Sequence, residues 1–291
     1  MLYDVTLRMS CRFGDHPASG RQILRVLPRA VPGRQRVIAS ALDFHPRPVE
    51  RSDGSDFFGN ITVEAVFRDV WRETAFTVAA RVERTVETAG LDFSPAIESL
   101  PAAIDRQRDL GPRSPHHFMG PSVRIEPDAA ISRYARDQLL PRMTAFEAAS
   151  ALNMALYRDM AFDAEATDVN TPAAAAFALR SGVCQDFAHI MITALRSVGI
   201  PAGYVSGLLS TRPPEGKPRL EGADAMHAWV MAWCGEEAGW QEFDPTNGII
   251  VANEHILIAI GRDYADAAPV SGVLKTTGSQ EIDQAVDVIP L

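Results

Sequence analysis

The 291-residue sequence contains little cysteine, and its cysteines do not stand at metal-binding spacing. The three are Cys11, Cys184 and Cys234, and no C-x-x-C pair occurs. An odd and sparse count argues against a disulfide framework and suits free thiols in a reducing compartment. A zinc site combining Cys184 and Cys234 with His189 and His227 is rejected, because the spacing matches no zinc pattern.

Basic residues are outnumbered by acidic ones, and long apolar runs are missing. The chain has 28 Lys and Arg against 37 Asp and Glu, which gives a formal net charge of −9. This balance excludes nucleic acid and anionic membrane surfaces as expected partners. No apolar run reaches the roughly eighteen residues that span a bilayer. The first eight residues alternate like a strand, unlike a signal peptide, so a cytoplasmic protein is expected.

The first 90 or so residues carry the pattern of β-strands. Val, Ile, Thr and Phe are frequent, apolar and polar residues often alternate, and Gly, Pro and Asp clusters interrupt the pattern. The Asp-Gly-Ser-Asp cluster at 53–56 is interpreted as a turn, since it lacks the spacing of a calcium loop. Without helical stretches in between, the pattern predicts an antiparallel sandwich or small barrel. Strands are expected at 2–11, 22–28, 36–44, 60–69 and 75–86.

Helical signals follow a proline-rich connector at 92–128. A capping box formed by Thr144 and Glu147 predicts a helix that ends near residue 160. A second helix opens at Pro172, and Gly182 is its expected terminating residue.

The next helix carries the first candidate for a reactive group. Apolar residues at helical spacing predict a buried helix over about 184–198, which places Cys184 in its first turn. A lone cysteine in an apolar stretch is usually a small buried residue. At a helix N-terminus, however, free N–H groups and the helix dipole favour thiolate and can bind an oxyanion. Gly182 removes side-chain bulk where a substrate backbone would approach.

A nucleophilic cysteine also needs a base and a group that orients the base. His189 projects away from Cys184 on the same helix, whereas His227 begins a predicted strand at 226–233. A tight turn and a returning strand would bring Asp244 beside the His227 ring. A carboxylate there fixes the imidazole tautomer and stabilises the imidazolium. From the residues alone, a catalytic triad and a purely structural set both remain open.

Three separated motifs then show a resemblance to a known family. The segment SGVCQDFA at 181–188 resembles the nucleophile segment of microbial transglutaminase-like proteins. The segment HAWV at 227–230 resembles the family's histidine strand, and 240–248 resembles its aspartate strand. The motif GRDY at 261–264 and the N-terminal β region, including Phe-Gly-Asn at 58–60, resemble one bacterial branch. The resemblance covers nearly the whole chain.

This resemblance implies an α+β fold with two parts. An N-terminal antiparallel β-sandwich with its connector would occupy residues 1–115, and a papain/transglutaminase-like catalytic domain would occupy 116–291. The catalytic cysteine would lie at a helix N-terminus packed on an antiparallel sheet. Cys184 would attack a peptide or carboxamide carbonyl to form a thioester, with His227 and Asp244 completing the triad. No cofactor and no metal are expected.

The resemblance also points to residues around the triad. Asp186 either orders the first helical turn or is an ordinary acidic residue near a helix N-terminus. Tyr204 and Trp229 either line the cleft or are buried core aromatics. In the animal enzymes an upstream Trp donates to the oxyanion, but no Trp lies between Trp71 and Cys184 here. The second oxyanion donor therefore has no assignment from the sequence. The supporting set is Gly182, Gln185, Asp186, Tyr204 and Trp229.

Three functions remain open at this point. The first is acyl transfer to an amine, and the second is a thiol protease or amidase that hydrolyses peptide or isopeptide bonds. The third is a non-catalytic binding module that retains the fold. The expected partner is a peptide or protein substrate, whose identity the sequence does not give, and neither does it give an oligomeric state.

Overall fold

The computed structural model describes residues 1–13, 18–70, 73–85, 90–211, 222, 224–275 and 280–291. Within these ranges the chain forms three antiparallel sheets, a short parallel strand pair and several helices. The N-terminal and C-terminal strands are β1 (Leu2–Phe13), β2 (Ala18–Leu24), β3 (Gln35–His45), β4 (Glu50–Ser55), β5 (Ile61–Val70), β6 (Glu73–Arg84), β14 (Val270–Lys275) and β15 (Gln280–Pro290).

The central part of the chain contains the helices and the remaining strands. The strands are β7 (Ala161–Phe162), β8 (Ser181–Gly182), β9 (Ala202–Leu209), β10 (Ala225–Trp233), β11 (Trp240–Asp244), β12 (Ile249–Ile250) and β13 (His255–Gly261). The α-helices are α1 (Leu100–Arg106), α2 (Ala129–Asp137), α3 (Ala145–Asp159), α4 (Ala173–Leu179), α5 (Cys184–Ser197) and α6 (Tyr264–Ala267), with 3₁₀ turns at Ile97–Ser99 and Pro115–Phe118.

The predicted N-terminal sandwich is confirmed. One sheet has the strand order β15-β1-β6-β3 and the other the order β14-β2-β5-β4. Alternate residues of β1, namely Tyr3, Val5 and Leu7, are fully buried between the sheets. This is the period-two burial that an antiparallel sandwich requires, since successive side chains of a strand point to opposite faces.

The last two strands of the chain complete both sheets of this sandwich. β15 pairs with β1 over the whole length of β15, and β14 pairs with β2. Val286 and Val288 of β15 are buried with the β1 residues. The sandwich is thus built from both ends of the chain, while the division of the sequence at residue 115 stays a prediction.

Two local predictions for the first half of the chain were wrong. Residues 53–55, predicted as a turn, belong to β4, an exposed edge strand paired with β5. Its side chains are all exposed, so it lacks the apolar alternation by which the other strands were found. The connector at 92–128, predicted from its dense prolines to pack over the surface, contains α1, which buries Leu100, Ala103 and Ile104 in the core.

The second part of the fold is a sheet of order β12-β11-β10-β9-β13 with α5 packed against it. Nearly every residue of α5 from Phe187 to Leu195 is buried, as its continuous apolar pattern predicts. β10 and β11 form the predicted hairpin, with Val230 opposite Phe243 and Trp233 opposite Trp240. These elements place the start of α5 beside the start of β10.

Helix boundaries follow from capping. The predicted capping box of α3 is present, with the Thr144 side chain accepting from the Glu147 N–H and Glu147 reaching back to the Thr144 N–H. The end predicted for α4 was wrong: Arg180 ends this helix in the left-handed conformation at φ 56°, and Gly182 lies in β8. None of the described helices is both long and apolar enough to cross a membrane.

Two buried amides join the sandwich to the core sheet. The Asn60 side chain donates to the Ile260 carbonyl at 2.7 Å and accepts from the Ile260 N–H at 2.8 Å. Gln35 makes the same pair of bonds to Leu257, at 2.7 and 2.9 Å. Both amides lie against β13, an edge strand, so they satisfy backbone groups that an edge leaves unpaired. The polar, proline-rich composition of residues 211–222 predicts a loop, and this segment lies largely outside the described residues.

Candidate active site

Cys184 is the first residue of α5 and is partly buried. The Asp186 carboxylate accepts from the Val183 N–H at 2.8 Å, and the Asp186 and Phe187 N–H groups bond to the Val183 carbonyl. The N–H groups of Cys184 and Gln185 belong to the first turn, where helix geometry provides no intrahelical acceptor. The thiol therefore lies beside donors that can bind an anion.

Asp186 fills the space beside Gly182. A Cβ atom at Gly182 would lie 2.5 Å from Asp186 Oδ2. The same oxygen accepts from the Thr167 hydroxyl at 2.6 Å. Burial raises the pKa of Asp186, although these hydrogen bonds oppose the shift. Gly182 is thus needed because the carboxyl group that caps α5 lies where a side chain would be. This explanation differs from the one predicted from the sequence, in which Gly182 leaves room for a substrate.

His227 lies at the beginning of β10 between Cys184 and Asp244. Its Nε2 is 2.8 Å from Asp244 Oδ2, and its ring lines the same cleft as the Cys184 thiol. Burial alone would lower the pKa of His227. The hydrogen bond to Asp244, together with the nearby Asp244 and Cys184 groups, outweighs burial and raises the pKa to about 10. The imidazole is therefore a cation at neutral pH.

Asp244 ends β11 and is fully buried. Its Oδ1 accepts from the N–H groups of Thr246 and Asn247, and its Oδ2 accepts from the Asn247 side chain at 2.7 Å. Burial raises the pKa of this carboxyl, but hydrogen bonds from His227, His255 and Asn247 hold it well below its usual range. The group is a fixed buried anion, which is what orients and stabilises an imidazolium.

His255 is a component of the site that the sequence did not reveal. It starts β13, is fully buried, and places Nε2 3.1 Å from Asp244 Oδ2. Its ring packs edge-on against Trp229, with centroids 5.2 Å apart. The available signal was a histidine at the start of an apolar stretch, but nothing in the sequence shows that β13 pairs with β9.

The Nε2 atoms of His227 and His255 and an Asp244 oxygen lie within 4.8 Å of one another, so they could hold a metal ion. Two histidine nitrogens and a carboxylate oxygen are a donor set that divalent transition metals accept. Here both nitrogens are engaged in hydrogen bonds to the same carboxylate oxygen. A bound ion would have to replace both bonds.

A cleft of about 350 Å³ opens at the thiol. Among the predicted supporting residues, Gln185 and Tyr204 line it together with Cys184 and His227. The Gln185 amide also donates to the Val169 carbonyl at 3.1 Å. Burial raises the pKa of Tyr204 well above its usual value, so its phenol stays protonated.

Trp229 is a buried core residue with no exposed surface. Its indole N–H donates to Glu242 at 2.9 Å, and its ring lies across Gly207, where a Cβ atom would be 2.3 Å away. Trp229 was predicted either to line the cleft or to be a buried core aromatic, and its position is that of a core aromatic. The indole stacks at 6.3 Å from His227 and supports that ring from behind.

The remaining candidate thiols and His189 lie outside this arrangement. His189 accepts from the Tyr264 N–H at 3.2 Å, and burial lowers its pKa to about 4, so it is neutral. Cys234 is buried, and burial raises the pKa of its thiol. Cys11 lies on β1 of the sandwich, where burial also raises the thiol pKa.

A thiol at a helix N-terminus, facing a buried histidine and aspartate, is the arrangement of cysteine-dependent enzymes. Comparison with known proteins agrees with it. The sequence profile of the transglutaminase-like superfamily matches residues 132–245, and that of the bacterial transglutaminase-like N-terminal region matches residues 3–83. The chain therefore belongs to the transglutaminase-like superfamily, as its motifs predicted.

Individual relatives extend this comparison. An uncharacterized protein of Mycobacterium tuberculosis is 35% identical over 295 residues, covering 99% of this chain and 92% of the relative. A protein-glutamine gamma-glutamyltransferase of Pseudomonas aeruginosa is 38% identical over 105 residues, covering 33% of this chain and 15% of that protein. A Cytophaga hutchinsonii structure, provisionally described as a cysteine protease, has a TM-score of 0.70 at 22% identity, covering 98% of this chain and 90% of that one. This last likeness supports the fold.

Proposed function

We propose that this protein is a cysteine-dependent acyl-transfer enzyme that acts on peptide or carboxamide carbonyls through a thioester. The observation that carries the proposal is the grouping of the Cys184 thiol and the His227 ring in one cleft, with His227 bonded to the buried Asp244 at 2.8 Å. It starts at a helix N-terminus and opens into a cleft. A binding module would not need this combination of groups.

In the first half of the reaction the Cys184 thiolate adds to the carbonyl carbon of the substrate. The oxygen becomes an oxyanion, which the first-turn N–H groups of α5 can bind. These donors are backbone groups, so no upstream Trp is required for them. When the tetrahedral intermediate collapses, the C–N bond breaks and the His227 imidazolium gives its proton to the leaving nitrogen. Ammonia or an amine leaves, and the acyl group remains on sulfur.

In the second half an amine or a water molecule attacks the thioester. His227, now neutral, takes the proton of the attacking group, the C–S bond breaks, and the thiolate and imidazolium are restored. Asp244 keeps its charge throughout and holds the ring of His227. The products are a new amide when an amine attacks and a carboxylic acid when water attacks.

The test of the nucleophile is Cys184→Ala, with Cys234→Ala as the control because Cys234 is a free thiol that does not line the cleft. We expect Cys184→Ala to lose at least about a thousandfold in turnover, with unchanged thermal unfolding, and Cys234→Ala to stay near the wild type. Mass spectrometry should find the acyl adduct on Cys184 after incubation with candidate glutamine peptides. Near-wild-type turnover of Cys184→Ala would disprove the proposal.

Transfer and hydrolysis use the same residues, so the acceptor is tested separately. Release of ammonia together with incorporation of a dansylated primary amine indicates transfer. Cleavage of a peptide or isopeptide bond without incorporation of the amine indicates the alternative, a thiol protease or amidase. If Cys184 does not react with a low concentration of iodoacetamide at neutral pH, the chain is a binding module that retains the fold.

We also propose that the protein works in a reducing compartment. All three cysteines are free thiols, and the proposed chemistry requires Cys184 in that state. The cytoplasm is the compartment that keeps thiols reduced. Localisation of the tagged full-length chain in its own cells tests this part by itself.

A further inference from the structure

A second cavity, of about 450 Å³, lies between the two sheets of the sandwich. Three aromatic rings line it, with Phe44 lying 6.1 Å from Phe67 and 6.4 Å from Phe76 between centroids. The lining residues on β14 include Gly272, where a Cβ atom would lie 2.2 Å from the Arg21 carbonyl of the paired strand. Only glycine fits at this position.

This sandwich cavity adjoins the cleft at Cys184. Met9 of β1, Val270 of β14 and Ile282 of β15 line both of them. One wall of the cleft is therefore made by the sandwich, and the same three residues border both spaces. Ile282 is 65% exposed and Val273, at the rim, is 69% exposed. Such large apolar side chains at a cavity entrance are typical of a surface that contacts a ligand.

Both cavities are free of formal charge apart from the site itself. Among the described residues no Asp, Glu, Lys or Arg lines either one, although such residues make up 22% of the chain. An acidic, basic or phosphorylated group would enter such a space without a counter-charge, at a high desolvation cost. The lining thus selects an uncharged group, and its three aromatic rings favour an apolar one.

We propose that the sandwich cavity is a substrate subsite, which binds an apolar side chain of the same peptide whose carbonyl group is presented to Cys184. The inference rests on the proposed function and adds the substrate class: peptides with a branched aliphatic or aromatic residue near the reactive carbonyl. Burying such a side chain favours binding by about 10- to 100-fold over a small polar one. The sandwich is thereby a specificity element of the enzyme.

The test compares how fast Cys184 is alkylated by matched reagents. The reagents are pairs of peptidyl chloromethyl ketones that differ only in Leu or Ser at one position, and this position changes from one pair to the next. They are compared with iodoacetamide, which has no side chain. In each case the thiolate displaces the halide and forms a thioether, and peptide mapping separates Cys184 from Cys11. We expect a Leu preference of about tenfold or more at one position. Without any preference for Leu at any position, the subsite does not exist.

Variants assign the preference to the cavity. Ile282→Asp places a charge on the shared wall at an exposed position, and the matched control is Ile289→Asp, on the same strand and 45% exposed. Cys11→Trp fills the cavity, and Cys11→Ser is its control because both lack the thiol. The peptide rates of each variant are divided by its own iodoacetamide rate, and we expect Ile282→Asp and Cys11→Trp to reduce the Leu preference to less than about threefold. A preference that survives both changes overturns the inference.

The outcomes separate the two proposals. If iodoacetamide does not label Cys184, the proposed function fails, and the subsite is then tested as a binding site alone. For this purpose the Leu and Ser peptide amides are titrated calorimetrically into Cys184→Ala, with and without Ile282→Asp. Tighter binding of the Leu peptide that is lost with Ile282→Asp supports the subsite. Equal affinities refute it.

Discussion

Two histidines donate to one oxygen of Asp244, and they have different tasks. His227 also lines the cleft with Cys184, whereas His255 packs against Trp229 and has no exposed surface. A carboxylate held by two imidazoles and the Asn247 amide has little freedom to rotate. We infer that His255 is a positioning residue, which acts on the reaction through Asp244.

Replacement of His255 tests this role. His255→Phe removes the second donor, and a hydrogen bond to a charged group contributes about 1.5–3 kcal/mol. We expect kcat to fall by about 10- to 100-fold with little change in KM. His255→Gln can still donate to Asp244 and should recover most of the rate. A purely structural role would instead give two variants that lose stability together and show the same kcat.

The pH dependence of turnover follows from His227. Because its pKa is raised to about 10 by Asp244 and Cys184, the ring is protonated at neutral pH and can act as the acid. The rate should hold through neutral pH and fall as the pH rises through about 10. Asp244→Asn removes the stabilising anion, so the pKa of His227 falls and the alkaline limb moves to lower pH. The pH profile of kcat/KM, measured up to about pH 11, gives the alkaline limb of the wild type and of the variant.

The raised pKa of His227 also makes the stability of the fold depend on pH. A cation whose folded pKa is raised above its ordinary value of about 6.5 stabilises the fold fully below that pH. The contribution is lost as the pH rises through about 10.

If the alkaline limb of the kcat/KM profile stays in place with Asp244→Asn, a group other than His227 controls the rate at high pH.

The residues of the site were predictable to different degrees. Cys184 was recognisable because a helix pattern starts at it, and His227 with Asp244 because one hairpin contains both. His255 was not, because its place beside Asp244 depends on β13 pairing with β9, which is far away in sequence. The position of Asp186 against Gly182 was equally hidden, since it depends on side-chain packing within one turn.

The elements that hold the site depend on close packing at the start of α5. Gly182→Ala would place a Cβ atom 2.5 Å from Asp186 Oδ2, so the capping carboxyl has to move. We expect a loss of about 1–3 kcal/mol in the free energy of unfolding. Turnover should also decrease, because the N–H groups beside Cys184 would shift. Urea denaturation and kcat together measure both effects.

Gly120→Ala is the matched control for this substitution. A Cβ atom at Gly120 would meet nothing within 4 Å, so stability and turnover should stay within experimental error of the wild type. If Gly182→Ala behaved in the same way, the carboxyl of Asp186 would not be needed in its observed place.

Sequence patterns predicted elements where burial was periodic and failed where it was not. The inner faces of β1, β5 and β6 alternate, and α5 has continuous apolar spacing ended by a Gly-Ile-Pro segment. β4 could not be found because all its side chains are exposed. The end of α4 was misplaced because Arg180 takes the left-handed conformation that glycine usually provides.

At the scale of the whole molecule, the sandwich and the core sheet share one hydrophobic core. Buried apolar residues form a continuous cluster from between the sandwich sheets to α5. The amides of Asn60 and Gln35 bond to β13 from the sandwich side. The sequence predicted two successive parts. Alternation of apolar and polar residues indicates a strand, but it does not show that β14 and β15 pair with strands near the N-terminus.

A fragment of residues 1–115 tests this dependence. It lacks β14 and β15, which pair along β2 and β1, and it leaves two buried amides without partners. Loss of the buried Val286 and Val288 alone removes about 3–6 kcal/mol, a large part of the stability of a domain. We expect no cooperative urea transition for the fragment and a single one for the full chain. A fragment with dispersed NMR signals and its own sharp transition would show an autonomous domain.

The pairing of β15 with β1 also sets an order of events during synthesis. Domains near the N-terminus generally fold first as a chain leaves the ribosome, at about 5–20 residues per second. Here β1 must wait for residues 280–290, which are translated long after Cys184. For several seconds Cys184 exists without the cleft wall formed by β1 and β15. In the growing chain the cleft at Cys184 is therefore incomplete until β15 is in place.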